Sequence, residues 1–158
     1  MPVGIRHAQV VDADAAAALY LRARRAAEPA IPPGIHPDYD VRRWMRERLV
    51  APGHVWLAHD GNAALLGLVA LTPGWVEQLY VEPTRTGEGI GGALLDFAKA
   101  RSAGVLKLWT FAGNAGARRF YERHGFAAVE WTDGSGNEEG APDVLYVWRD
   151  QGARPARS

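Results

Sequence analysis

Cysteine is absent from the 158 residues, which excludes a disulfide framework, a thiol nucleophile and a thiolate metal site. An excess of charge of either sign is missing too, because 18 basic residues balance 18 acidic ones. A general polyanion binder would carry a basic surplus, so nucleic acid is not an expected partner. No run of about 18 apolar residues occurs, so no membrane span is expected. The opening stretch MPVGIRHAQVVDADA holds no apolar segment of signal-peptide type, and the expected location is the cytoplasm. His36, Asp38 and Asp40 have no metal-ligand spacing, and His7, His54 and His59 are scattered, so no metal is expected. Internal repeats are also lacking.

What is present is the composition of a globular chain, with 47% hydrophobic and 23% charged residues and a length suited to one domain. We expect that domain over residues 1–150 and a disordered tail after Asp150. A first strand is expected over Val3 to Val11, followed by a helix capped by Asp12 or Asp14 with Ala16, Leu19, Tyr20, Ala23 and Ala27 at helical spacing. The proline-rich stretch from Glu28 to Asp38 reads as a loop. A second helix is expected from about Tyr39 to Leu49, with Val41, Trp44, Met45 and Leu49 as its apolar stripe. Three strands follow, Val55 to His59, Ala64 to Thr72 and Trp75 to Val81, joined by Asp60-Gly61-Asn62 and Pro73-Gly74 turns.

Downstream, a helix is expected from Gly89 to Ala103, a strand from Val105 to Phe111, and a helix from Ala115 to His124 that Gly125 ends. Strands over Phe126 to Thr132 and Val144 to Arg149, around a polar loop, complete the order β-α-α-β-β-β-α-β-α-β-β. Hairpins first and one β-α-β crossover in the middle predict a mixed α/β sheet, mostly antiparallel, of six or seven strands flanked by about four helices.

The chemically informative stretch is LYVEPTRTGEGIGGALL, where a strand runs through a short loop into a helix start. Gly87, Gly89, Gly91 and Gly92 remove side chains where a ligand backbone could approach, and the free amides of a helix start attract phosphate. A P-loop would need Gly-Lys-Ser/Thr, and no lysine follows Gly91 or Gly92. A dinucleotide fingerprint would need an all-parallel unit with a ribose-binding acid about 20 residues on, where Lys107 or Leu108 stands instead.

TGEGIGGALL after LYVEP resembles the acetyl-CoA-binding motif R/Q-x-x-G-x-G/A of the GNAT superfamily. Thr86, Gly87, Glu88, Gly89, Ile90 and Gly91 occupy its positions, with Thr86 in place of the usual arginine or glutamine and Arg85 one residue earlier. NAGARRFYERHGF, residues 114–126, is similar to the family's N-x-x-A-x-x-F-Y-x-x-x-G-F segment. The two segments together cover residues 75–126. The resemblance implies the acyl-CoA N-acyltransferase fold and acetyl-CoA as co-substrate. It implies that Leu79, Tyr80 and Val81 pair with the pantetheine arm through their backbone, that Asn114 contacts that arm, and that Tyr121 sits near the thioester sulfur. Whether Arg85 takes over a side-chain contact to phosphate stays open, as does whether Arg118 and Arg119 border the adenine or form a solvated helix face.

An attacking amine must lose a proton and the departing thiolate must gain one. Tyr121 is the candidate acid. Glu77, on the strand entering the glycine turn and sharing a face with Trp75, Leu79 and Val81, is the candidate base, since a carboxylate among apolar residues on a central strand is costly unless paired or useful. Many family members carry the base two residues earlier, where this chain has Trp75. The family's acceptor cleft maps to Glu28–Trp44, Trp75–Glu77 and Thr132–Asp143. There Trp44 and Trp75 are candidates to wall the acceptor, and Glu138 and Glu139 to attract it. The expected partner is thus a small-molecule or peptide amine. A homodimer is common in the family, with Val144 to Trp148 as a candidate edge. A longer acyl group, a non-catalytic acyl-CoA-binding regulatory module and an interaction subunit with an empty cleft are the alternatives.

Overall fold

The computed structural model describes residues 3–62 and 64–152. Seven strands form one sheet in the order β1-β2-β3-β4-β5-β7-β6. They are β1 (Gly4–His7), β2 (Val55–His59), β3 (Leu65–Thr72), β4 (Trp75–Val81), β5 (Val105–Phe111), β6 (Ala127–Trp131) and β7 (Asp143–Arg149). The helices are α1 (Ala13–Ala26), α2 (Asp38–Trp44), α3 (Ile90–Arg101) and α4 (Ala115–Arg123). α2 runs on as a wider π-helical stretch over Met45–Val50. The expected mixed, mostly antiparallel sheet and four helices are therefore found.

β1 is shorter than the sequence suggested. Its pairing with β2 ends at His7↔Trp56, and Arg6 then grips Asp12 at 2.8 Å while the Gln9 amide donates to the same carboxylate, turning the chain away from the sheet. The turn at 60–62 follows the sequence signal, with Gly61 at φ +95° and the Asn62 amide on the Asp60 carboxylate at 3.0 Å. The candidate edge at Val144 to Trp148 is corrected: β7 pairs with β5 on one side and β6 on the other, so β6 is the edge. A seven-residue strand with Val144 and Tyr146 fully buried belongs inside a sheet, whereas all of β6 is exposed. The tail expectation falls largely on residues 153–158, which lie outside the described residues; Gln151 and Gly152 form a turn.

Two apolar layers flank the sheet. α3 and α4 cover one face, where Leu94, Leu95, Leu108, Val144 and Tyr146 pack together across both halves of the sheet. α1 and the α2 segment cover the other, where Leu19, Met45, Leu57 and Leu68 are buried, but that layer reaches only as far as β4.

The feature that creates a site is the joint between β4 and β5. Every other neighbouring pair is antiparallel, while these two are parallel and are in register only at Trp75↔Lys107. The Lys107 amide bonds to Gly74 O at 2.9 Å, and beyond that point the strands splay. The main chain of β4 from Gln78 onward is thus paired with β3 on one side and faces the opening on the other.

Candidate functional site

The splay opens a cleft of about 670 Å³ that runs through the sheet from the glycine turn to the end of α1. Its walls combine β4 residues Val76–Val81, the turn residues Arg85, Thr86, Gly87 and Gly89, the first turn of α3, the end of β5, and α4 residues Asn114, Ala117, Phe120 and Tyr121. Most sequence-predicted site residues are therefore brought together: Glu77, Leu79, Tyr80, Val81, Arg85, Thr86, Gly87, Gly89, Ile90, Gly91, Gly92, Asn114 and Tyr121.

At one end, the backbone of the turn decides the geometry. Gly87 and Gly89 stand at φ +82° and +83°, and a Cβ on either would meet nothing within 4 Å, so conformation alone demands glycine there. Gly91 and Gly92 are small for another reason. A Cβ on Gly91 would lie 3.0 Å from the Phe120 ring, and one on Gly92 would lie 3.0 Å from the His124 ring. Gly91 and Gly92 thus line the cleft and also make room for α4. No side chain caps α3, and the first helical bond is Ala93 N–H to Gly89 O at 3.0 Å, so the amides at the helix start remain free for an anion.

Arg85 lines the cleft, but its Nε donates to both Glu88 oxygens at 3.0 and 2.9 Å, and Asp60 lies 3.7 Å from its Nη1. The bond from Arg85 holds the Glu88 carboxyl below its usual range. Glu88 itself does not line the cleft. Asn114 caps α4, its Oδ1 accepting from Ala117 N–H at 3.2 Å, while its amide NH2 donates to no described residue. Arg118 donates to the Tyr146 hydroxyl at 3.3 Å and lies over the Trp131 ring at 4.6 Å. Arg123 and His124 of the same helix end line the cleft, and Arg118 and Arg119 do not.

Tyr121 sits mid-cleft with 9% of its surface exposed, packed on Phe120, Phe126 and Tyr146. Its hydroxyl has no hydrogen-bond partner among the described residues, and burial pushes its phenol well above the usual range. Glu77 lines the same cleft from β4, in an unforeseen way. The register steps from Ala70↔Gln78 to Leu71↔Val76, so Glu77 is the extra residue of a β-bulge. The premise that it is a buried carboxylate fails. It is exposed at the cleft wall, and Thr72 donates its hydroxyl to it at 2.7 Å.

The other end is closed by Ala23, Ala27 and Ile31, Phe111, Asn137 of the loop before β7, and Asp143, the first residue of β7. Trp44 and Trp75 are not on it. Trp44 packs against Tyr20 between α1 and α2, and Trp75, at the hairpin end of β4, stacks under the Lys107 ammonium at 5.8 Å. Glu138 and Glu139 are occupied by His36 at 3.0 Å and Arg24 at 3.4 Å. Asn137 and Asp143 were not singled out. Their only signal was membership of a loop whose shape no local pattern encodes.

A family model described as the acetyltransferase (GNAT) domain matches residues 51–128, which hold the glycine turn, β4, β5 and α4. The chain belongs to the GNAT superfamily. Among GNAT relatives, the mycothiol acetyltransferase of Beutenbergia cavernae is 36% identical over 100 residues, 57% of this chain and 34% of that protein. An uncharacterized N-acetyltransferase of Archaeoglobus fulgidus is 35% identical over 94 residues, 50% of this chain and 62% of that protein. The chain spans less than two thirds of the length of these curated relatives. In structure it resembles the apo form of YjaB from Escherichia coli, with TM-score 0.77, 18% identity, and coverage of 94% of this chain and 98% of that one. It also resembles a PaiA N-acetyltransferase from Thermoplasma acidophilum solved with coenzyme A, with TM-score 0.66, 20% identity, and coverage of 94% and 99%. The fold is therefore that of GNAT acyl-CoA N-acyltransferases. Among the described residues no helix is long and apolar enough to cross a membrane, and no cluster of side chains is arranged to hold a metal ion.

Proposed function

We propose that this chain is an N-acetyltransferase that moves the acetyl group of acetyl-CoA to a primary amine of a small molecule or peptide, in a ternary complex. The observation that carries the reading is the through-going cleft, with free helix-start amides at one end and a buried, unpartnered phenol halfway along. Residues 1–150 act as one domain in this reading, and a cytoplasmic location belongs to it.

The residues fit coenzyme A in kind. Amides at Ile90, Gly91 and Gly92, with the α3 dipole behind them, suit a diphosphate. The unpaired edge of Leu79, Tyr80 and Val81 offers strand-like donors and acceptors to an amide-bearing arm, and the Asn114 NH2 adds a donor. The bound thioester supplies an activated acetyl group. The amine nitrogen bonds to the carbonyl carbon, the C–S bond breaks, and the products are an N-acetyl amine and the free thiol. Glu77, directly or through water, takes the proton that the amine gives up. Tyr121, protonated at neutral pH, is the group on the cleft wall that gives the departing sulfur its proton. Holding the two reactants in one cleft supplies further acceleration.

Thiol release from acetyl-CoA across an amine panel, with Tyr121→Phe as control, tests the reading. Amine-dependent release that Tyr121→Phe abolishes supports it. Tight acetyl-CoA binding with no amine-dependent release would instead favour a regulatory acyl-CoA-binding module.

A further inference from the structure

We propose that the acceptor carries a second positive charge, and that Asp143 is the residue that selects for it. The inference rests on the acetyl-transfer reading and names its substrate class. The cleft is electrically divided. Arg85 and Arg123 lie at the end of the glycine turn, where α4 packs onto the start of α3. Two carboxylates, Glu77 and Asp143, line the remainder.

These two differ from the other acidic groups nearby. Glu88 is held by Arg85, Glu82 by Arg22 at 2.5 Å, Glu138 by His36 and Glu139 by Arg24. Glu77 and Asp143 pair with no cation among the described residues and meet only neutral donors. Thr72 donates to Glu77, Thr132 donates its hydroxyl to Asp143, and the Asn137 amide donates to Asp143 at 3.2 Å. Asn137 is itself fixed by Ala141, giving to its carbonyl at 2.7 Å and accepting from its amide at 3.2 Å. Asp143 is thus a positioned charge with lone pairs to spare. Tyr121, nine-tenths buried and lining the same cleft, makes no hydrogen bond through its hydroxyl among the described residues, which points independently to a ligand there.

An amine that reacts beside Glu77 still leaves Asp143 uncompensated. A second cationic group, reached across the apolar wall of Ala27, Ile31 and Phe111, would answer it. The fitting class is a diamine or polyamine, or a compact amine with another cationic centre. An amine that bears a carboxylate would be repelled.

The test compares acceptors of one length, 1,4-diaminobutane, butylamine and 4-aminobutanoate, by thiol release from acetyl-CoA. We expect kcat/KM at least tenfold higher for the diamine than for butylamine, and lowest for the amino acid. Asp143→Asn should raise KM for the diamine about tenfold with kcat nearly unchanged, narrowing its advantage over butylamine. Calorimetric coenzyme A affinity reports that the fold is intact. If Asp143→Asn does not fold, the wild-type acceptor order decides. Equal use of diamine and butylamine, preference for the amino acid, or an equal loss for all acceptors in Asp143→Asn would overturn the inference while leaving acetyl transfer standing. Absence of thiol release with every amine would instead sink the acetyl-transfer reading, and this one with it.

Discussion

Tyr121 shows how one position joins packing and chemistry. Three aromatic neighbours exclude water from its ring, and that same exclusion holds the proton on its oxygen. Tyr121→Phe keeps the packing and removes only the proton, so kcat should fall by about 10²–10³ while coenzyme A affinity is unchanged. Loss of cofactor affinity in a calorimetric titration would reduce Tyr121 to a packing role. Glu77 calls for a different measurement, since it is exposed and its only described partner is Thr72. If it takes the amine's proton, Glu77→Gln should lower kcat/KM strongly at neutral pH. The defect should shrink as pH rises toward the acceptor's own pKa, where the amine arrives neutral. A defect constant across the pH profile would remove Glu77 from proton transfer.

At the scale of elements, the glycine turn and α3 separate two causes that the sequence shows as one motif. Gly89→Ala imposes a left-handed conformation on an L-residue, a cost of roughly 1–2 kcal/mol, and disturbs the amides that face the ligand, so stability and coenzyme A affinity should fall together. Gly91→Ala drives a Cβ against Phe120 and should cost about 1–3 kcal/mol through overpacking between α3 and α4. Phe120→Leu should therefore rescue Gly91→Ala and leave Gly89→Ala unrescued, as read from urea midpoints. Much of the element pattern was legible. β2, β4 and β5 stand where alternation and turn residues put them, because their pairing partners are close in sequence or their core faces are strongly apolar. What was not legible is what neighbours decide. The π-helical stretch at Met45–Val50 changes no hydrophobic spacing, the bulge at Glu77 is a property of the β3–β4 register, and the edge position of β6 depends on how β7 inserts.

Across the whole molecule, the site divides into a half that two short segments build and a half assembled from more scattered ones. Residues 79–92 and 114–121 supply much of one wall of the cleft, and local patterns could find them. Ile31, Phe111, Asn137 and Asp143 meet only after α1 and the β6–β7 loop are in place, and no local pattern marks them. Trp44 and Trp75 misled because an aromatic side chain fits either a slot or a core, and here tertiary packing drew them to Tyr20 and Lys107. The same two-faced architecture fixes the response of the whole fold to alkali. Tyr121 belongs to the layer beneath α3 and α4, while Tyr80 stacks edge-on against Tyr20 on the opposite face, with ring centroids 4.9 Å apart. Burial, the larger cause, raises both phenols above their ordinary value of about 10. Above that value the unfolded chain sheds protons that the folded chain keeps, so it binds fewer, and stability must fall as pH rises. Below it both states hold the phenolic protons and neither tyrosine contributes a slope. Stability should therefore be insensitive to these two phenols up to pH about 10 and decline beyond it, with both layers giving way together. Urea midpoints measured from pH 8 to 12 check this. Tyr121→Phe should flatten the decline and Tyr80→Phe should flatten it further when combined; an unchanged slope in the double variant would mean that neither phenol resists ionisation in the folded state.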